Sequence, residues 1–128
     1  MAVAPLDKVR EVVEYAVTQI QPGQLILGIP NYGYDWTLPY ERGISRARSI
    51  GNVEAVEIAA ENGAVIEYAQ ISQSPWFTYR KNGMEHVVWF EDVRSITAKW
   101  DLIREFGLSG ARYWNLMRPF RANWLLVR

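Results

Sequence analysis

The run LILGIPNYGYDW, residues 25–36, sits at the centre of this 128-residue chain's organisation. Leu25 to Ile29 are almost continuously apolar. Such a run suits a strand buried on both faces, which usually belongs to a parallel sheet covered by helices. Just upstream, Leu6, Val9, Val13, Ala16, Val17 and Ile20 recur at helical spacing and predict an amphipathic helix over residues 6–20. Pro5 suits its first turn, and Asp7 suits the positive end of its dipole. Gln21-Pro22-Gly23-Gln24 is the turn between helix and strand. The first thirty residues therefore read as a helix–strand unit of an α/β fold. Asn31-Tyr32-Gly33-Tyr34-Asp35-Trp36 follows the strand directly. In α/β sheets and barrels, loops at the carboxyl ends of strands hold the ligand, so this segment is the expected ligand loop.

The α/β rhythm then breaks. Residues 37–51 look irregular. Asn52 is expected to cap a short helix through Glu61, with Val53, Val56 and Ala60 on one side and Gly63 ending it. Ile66 to Gln70 reads as a short strand. Trp76–Lys81 and Met84–Trp89 flank Asn82-Gly83, the strongest short-range cue for a hairpin, because both turn residues need positive φ. A two-residue loop sets Arg80 opposite Glu85, Tyr79 opposite His86, Phe77 opposite Val88 and Trp76 opposite Trp89. Residues 37–90 thus read as an α+β insertion. Afterwards the rhythm resumes. Asp92 caps a helix to Phe106 with Val93, Ile96, Trp100 and Ile103 on its stripe, and Gly107 ends it. Gly110–Leu116 is a strand carrying Tyr113 and Trp114. Pro119 opens a last helix holding Phe120, Trp124 and Leu125.

Composition narrows the function. Lys+Arg and Asp+Glu both number 14, so the chain has no positive field for nucleic acid or an anionic membrane. No run approaches the ~20 apolar residues of a membrane span. The absence of cysteine removes thiolate nucleophiles and Cys-ligated metals. Asp occurs only at 7, 35, 92 and 101, and His86 is the single histidine. That inventory is thin. A Ser-His-Asp triad is formally open but has no nucleophile-elbow motif, and Glu91-Asp92 is formally open as an acid pair. A metal site would lean on carboxylates plus one His with no ligand spacing, and no cofactor motif is present, so neither a metal nor a cofactor is expected. His86 reads as a hairpin histidine beside Tyr79, Asp92 as a helix cap and Glu91 as a strand-end residue. The N-terminus shows no secretory leader. Met1 reads as an artificial start, with natural sequence lying before it.

The 6 Trp, 7 Tyr and 4 Phe are the stronger lead. Flat aromatic faces stack on sugar C–H groups while hydroxyls seek polar partners. Tyr32, Tyr34 and Trp36, with Asn31 and Asp35 at hand, gather after one α/β strand, and Trp114 ends the other. Trp100 and Trp124 read as helix packing, and Trp76 and Trp89 as hairpin packing.

LILGIPNYGYDW (25–36), HVVWFEDVRSITAKWDLI (86–103) and GLSGARYWNL (107–116), with the insertion between them, resemble the family 18 glycoside hydrolases. The resemblance is closest to bacterial spore enzymes that attack N-acetylglucosamine-containing cortex glycan, and it runs from VAPLDKVREVV to NWLLV. It implies a (β/α)8 barrel, of which this chain is the part from helix six through strand eight. Residues 1–36 and 91–128 are then barrel segments, and 37–90 the chitinase insertion domain.

By the same resemblance Trp114 matches the tryptophan under the sugar being cleaved, and Tyr32 the tyrosine of P-x-Y-G. Tyr34 stands where a basic residue is often found. The family's acid ends a D-x-x-D-x-D-x-E motif that this sequence lacks. The expected substrate-binding set is therefore Trp114, Tyr32, Asn31, Tyr34, Asp35 and Trp36, with no catalytic residue. The implied partner is peptidoglycan or chitin, cut at β-1,4 bonds by the parent in the spore or cell envelope. This chain alone is expected to be inactive. Two other readings stand beside it: a non-enzymatic glycan-binding module, and a structural piece whose open edges make it self-associate.

Overall fold

The computed structural model describes residues 1–126. The last two residues of the expected third segment, Val127 and Arg128, lie outside them. The α/β part is built from α1 (Leu6–Gln19), β1 (Ile26–Pro30), α3 (Val93–Phe106) and β7 (Gly110–Trp114). β1 and β7 pair in parallel, from Ile26 opposite Gly110 to Pro30 opposite Trp114. α3 connects back over this pair. Its Ile96 and Ile103 pack with Ile29, and half-buried Leu27, Trp100, Tyr113 and Phe120 close around them. The start of α3 is fixed as expected. The Asp92 side chain accepts from the Ser95 N–H while the Ser95 hydroxyl accepts from the Asp92 N–H. Gly107, at φ 66°, ends it.

The second sheet is antiparallel with order β3-β2-β6-β5-β4. Its strands are β2 (Gly33–Thr37), β3 (Arg48–Ile50), β4 (Glu67–Ala69), β5 (Ser74–Lys81) and β6 (Met84–Trp89). The hairpin has the expected register at all four pairs. Asn82 and Gly83 carry φ of 51° and 75°, as the tight turn demands. α2 (Asn52–Glu61) covers one face, where Ala55 and Ala59 pack on Ile50, Phe77, Tyr79, Val88 and Phe90. Together these elements make a mixed α/β molecule.

Several expectations are corrected. Residues 33–36 are not a ligand loop: β2 is a strand held between β3 and β6. The second sheet therefore begins at Gly33 rather than after Trp36. The stretch 37–51 contains a strand, β3. In α2 the inward stripe is Asn52, Ala55 and Ala59, while Val53 and Val56 are 46% and 48% exposed and Ala60 faces outward. Small residues let the helix sit close on the sheet, and the branched ones are left outside. Gly51, not Asn52, occupies the N-cap position. Ile26 is 62% exposed, because β1 pairs only with β7 among the described residues and one of its faces is uncovered. Ile20 and Val93 are also exposed. The last helix is a short 3₁₀ turn, Arg121–Leu125, and Trp124 is 56% exposed rather than packed.

Candidate functional site

The carboxyl ends of β1 and β7 lie side by side, so Pro30 and Trp114 are neighbours. An open cavity of about 270 Å³ forms there, lined by Val3, Ala4, Gly28, Ile29, Pro30, Tyr32 and Trp114. Trp114 is 66% exposed, an unusual state for an indole in a folded chain. Burial and the neighbouring Tyr34 push the Tyr32 phenol above its ordinary value, so it stays a donor. Tyr32 begins a row of edge-on aromatics. Tyr32–Tyr34, Tyr34–Trp36 and Trp36–Tyr40 have ring centroids 5.7, 5.7 and 5.5 Å apart. Tyr34 and Trp36 share one face of β2, since side chains alternate along a strand. Trp36 also donates to the Met1 carbonyl at 3.1 Å. Gly33 permits the close approach: a Cβ there would meet the Trp89 carbonyl at 2.5 Å and the Phe90 Cβ at 2.8 Å.

Asn31 is buried, so it does not present its amide to the cavity. It holds the wall instead. Its backbone N–H donates to the Trp114 carbonyl, and its side-chain amide donates to the carbonyls of Asn115 and Arg118 at 3.0 and 2.9 Å. Behind it, Asn52 donates to the Asn31 side-chain oxygen at 3.4 Å and accepts from the Glu91 N–H at 2.9 Å. Glu91 takes both oxygens to the Lys99 ammonium at 3.1 and 3.0 Å, and one of them to the Ser95 hydroxyl at 2.6 Å. A buried polar chain thus runs from α3 to the loop under Trp114. Burial pushes the Glu91 carboxyl up, against the pull of Lys99 and Ser95.

Asp35 also departs from expectation. It alternates with Tyr34 and Trp36, so it faces the α2 side of the sheet, where it is buried. Its oxygens accept from the Tyr79 hydroxyl at 2.7 Å and meet the His86 Nδ1 at 2.9 Å. His86 stacks on Tyr79 as its hairpin position suggests, with ring centroids 4.8 Å apart. Burial, then the Asp35 bond and charge, push the Tyr79 phenol up to about 12. A raised phenol is still protonated in the folded chain when the unfolded one has ionised. Tyr79 therefore adds stability that is complete below pH 10.0 and lost as the pH rises towards about 12. Tyr79→Phe is expected to flatten the loss of melting temperature over that range. An unchanged alkaline slope would count against the assignment.

The structure thus brings together Tyr32, Tyr34, Trp36 and Trp114 on the accessible side, and turns Asn31 and Asp35 inward. Tyr40 and Lys99 escaped the sequence reading, which gave Asn52 only a helix-cap role and Glu91 only a strand-end one. Lys99 carried a signal, as a charge four residues beyond Ser95 and eight beyond Glu91 on the inward side of a helix. Among the described residues, no group of three metal-ligating side chains converges.

Residues 3–118 match the sequence pattern described as glycosyl hydrolases family 18. The chain belongs to this family. It is similar to the cortical fragment-lytic enzyme of Bacillus subtilis (strain 168), at 46% identity over 127 residues, covering 98% of the chain and 30% of that protein. Among solved structures it is similar to the spore cortex-lytic enzyme SleL of Bacillus megaterium QM B1551, with a TM-score of 0.94 and 48% identity over 99% of the chain and 30% of that one. A chitinase from Chromobacterium violaceum ATCC 12472 gives a TM-score of 0.81 at 30% identity, covering 90% of the chain and 35% of that protein. The chain therefore spans about 30% of the length of the family 18 spore enzymes it matches.

Proposed function

We propose that this chain is the C-terminal part of a family 18 glycosidase acting on β-1,4 bonds at N-acetylglucosamine in peptidoglycan or chitin. In this reading β1 and β7 are strands seven and eight of a (β/α)8 barrel, and α1 and α3 its sixth and seventh helices. The insertion domain starts at Gly33, where the second sheet starts, and ends near residue 90. The observation that carries the reading is the shared cavity of Tyr32 and Trp114 at the carboxyl ends of two parallel strands. The exposed Trp114 indole offers a stacking face for a sugar ring, and the Tyr32 hydroxyl a donor for its oxygens. The row Tyr34, Trp36 and Tyr40 extends the apolar wall along the insertion.

The chemistry itself belongs to residues outside this chain. In the substrate-assisted scheme a carboxylic acid protonates the leaving oxygen while the substrate's own N-acetyl oxygen attacks. The motif that ends in that acid is not in these 128 residues. The purified chain, incubated with cortex fragments or chitin oligomers, is therefore expected to release no new reducing ends. Measurable turnover would overturn this assignment. The parent's site of action is proposed to be the spore or cell envelope. When isolated, the chain is proposed to self-associate, since Val12, Tyr15 and Ile26 leave apolar surface open and β1 pairs only with β7 among the described residues.

A further inference from the structure

The opposite face of β2 holds a second, larger cleft, of about 370 Å³. That volume is within the range of small-ligand sites, roughly 300–1,000 Å³. Its rim carries Arg46, Arg48 and Lys81, and its wall carries His86. In a chain of zero formal net charge, this is a local concentration of cations. The one carboxylate lining it, Asp35, is only 3% exposed at its side chain, and both of its oxygens are engaged, by Tyr79 and His86. Arg48 is shared with Glu54 at 2.8 Å and lies 3.6 Å from Asp35. Arg46 and Lys81 form no ion pair with any described residue.

Three features distinguish this cleft from a merely solvated patch. Asp35 engages Nδ1 of His86, so Nε2 is the nitrogen left for a ligand, and it donates to an oxyanion only when the ring carries its second proton. The three cations come from separate places in the sequence, the loop before β3, β3 and β5, and the fold brings them with His86 of β6 to one cleft. Finally, Thr37 and Asn82 add neutral hydrogen-bonding groups to the same lining. A guanidinium and an ammonium with no ion-pair partner among the described residues, in one cleft with a positioned imidazole, match a single oxyanion by charge-assisted hydrogen bonds.

We propose that this cleft binds one oxyanion, a carboxylate or phosphate group, through Arg46, Lys81, Arg48 and His86. The site is separate from the Tyr32–Trp114 wall, and its test is independent of that wall. The chain is titrated with inorganic phosphate, with N-acetylmuramic acid and with neutral N-acetylglucosamine. Nuclear magnetic resonance follows the His86 ring and the amides of Arg46, Arg48 and Lys81. Phosphate and N-acetylmuramic acid are expected to shift these signals saturably, and N-acetylglucosamine is not. Tighter binding of phosphate points to a phosphate source, and tighter binding of the muramic acid to a sugar carboxylate. The exposed double change Arg46→Ala/Lys81→Ala is expected to weaken binding at least about tenfold with an unchanged melting temperature. Trp114→Ala is expected to leave it unaltered. No saturable shift at His86, an equal response to N-acetylglucosamine, or indifference to the double change would overturn the proposal.

Discussion

Lys99→Met is expected to destabilise the chain by about 3–5 kcal/mol, because it breaks a buried ion pair from one side only. For a chain of this size that is a fall in melting temperature of roughly 10–20 °C. The side chains of Lys99 and Glu91 are 0% and 1% exposed, so water cannot replace the lost partner. Burial already holds the Glu91 carboxyl above its ordinary value with Lys99 in place. Without the ammonium it rises further. A carboxylate whose folded value is raised contributes stability below its unfolded value and loses it as the pH rises. The penalty of Lys99→Met should therefore shrink in acid and grow towards neutrality. Removing both charges, as Lys99→Met with Glu91→Leu, should recover much of the loss, since an apolar pair of similar volume avoids the desolvation cost. Thermal melting of the three variants across acid and neutral pH measures this. A loss below about 1 kcal/mol for the single change would show that the pair is hydrated.

Asn31→Ala should cost about 2–3 kcal/mol and also disturb the wall. Its amide satisfies two carbonyls, of Asn115 and Arg118, and its oxygen receives Asn52. Each partly buried group left without a partner costs about 1–3 kcal/mol, partly recovered where water can enter. The loop under Trp114 loses its only side-chain tether to β1 among the described bonds, so the Trp114 indole resonance should move or broaden. A variant that melts like the parent chain, with that resonance unchanged, would mean that Asn31 does not position the wall.

Local rules were legible in the sequence where local chemistry decides. Asn82-Gly83 set the hairpin and every pair along it, and Asp92 with Ser95 set the start of α3. The apolar run at 25–29 became a parallel strand, and Trp114 fell beside its end. What failed depends on distant partners. β2 reads as a loop because its neighbour β6 lies some fifty residues away and it follows β1 after only two residues, although Tyr34 and Trp36 do alternate with Asp35 and Thr37. The same alternation sends Asp35 inward, to partners that the hairpin delivers. In α2 the branched residues drew the stripe to the wrong side, while the sheet selected Ala55 and Ala59 for close packing. Asn31 looked like a sugar ligand because it follows a strand. Its burial depends on Asn52 and Glu91 arriving from two other elements.

The proposed role of the wall is tested most directly by titrating the chain with N-acetylglucosamine oligomers while following the Trp114 indole and Tyr32 signals. Both should shift saturably, and Trp114→Ala should weaken binding about fivefold or more, the equivalent of ~1 kcal/mol of stacking. Oligomers that leave both signals unmoved, or that bind the Trp114→Ala chain as tightly as the parent, would contradict it.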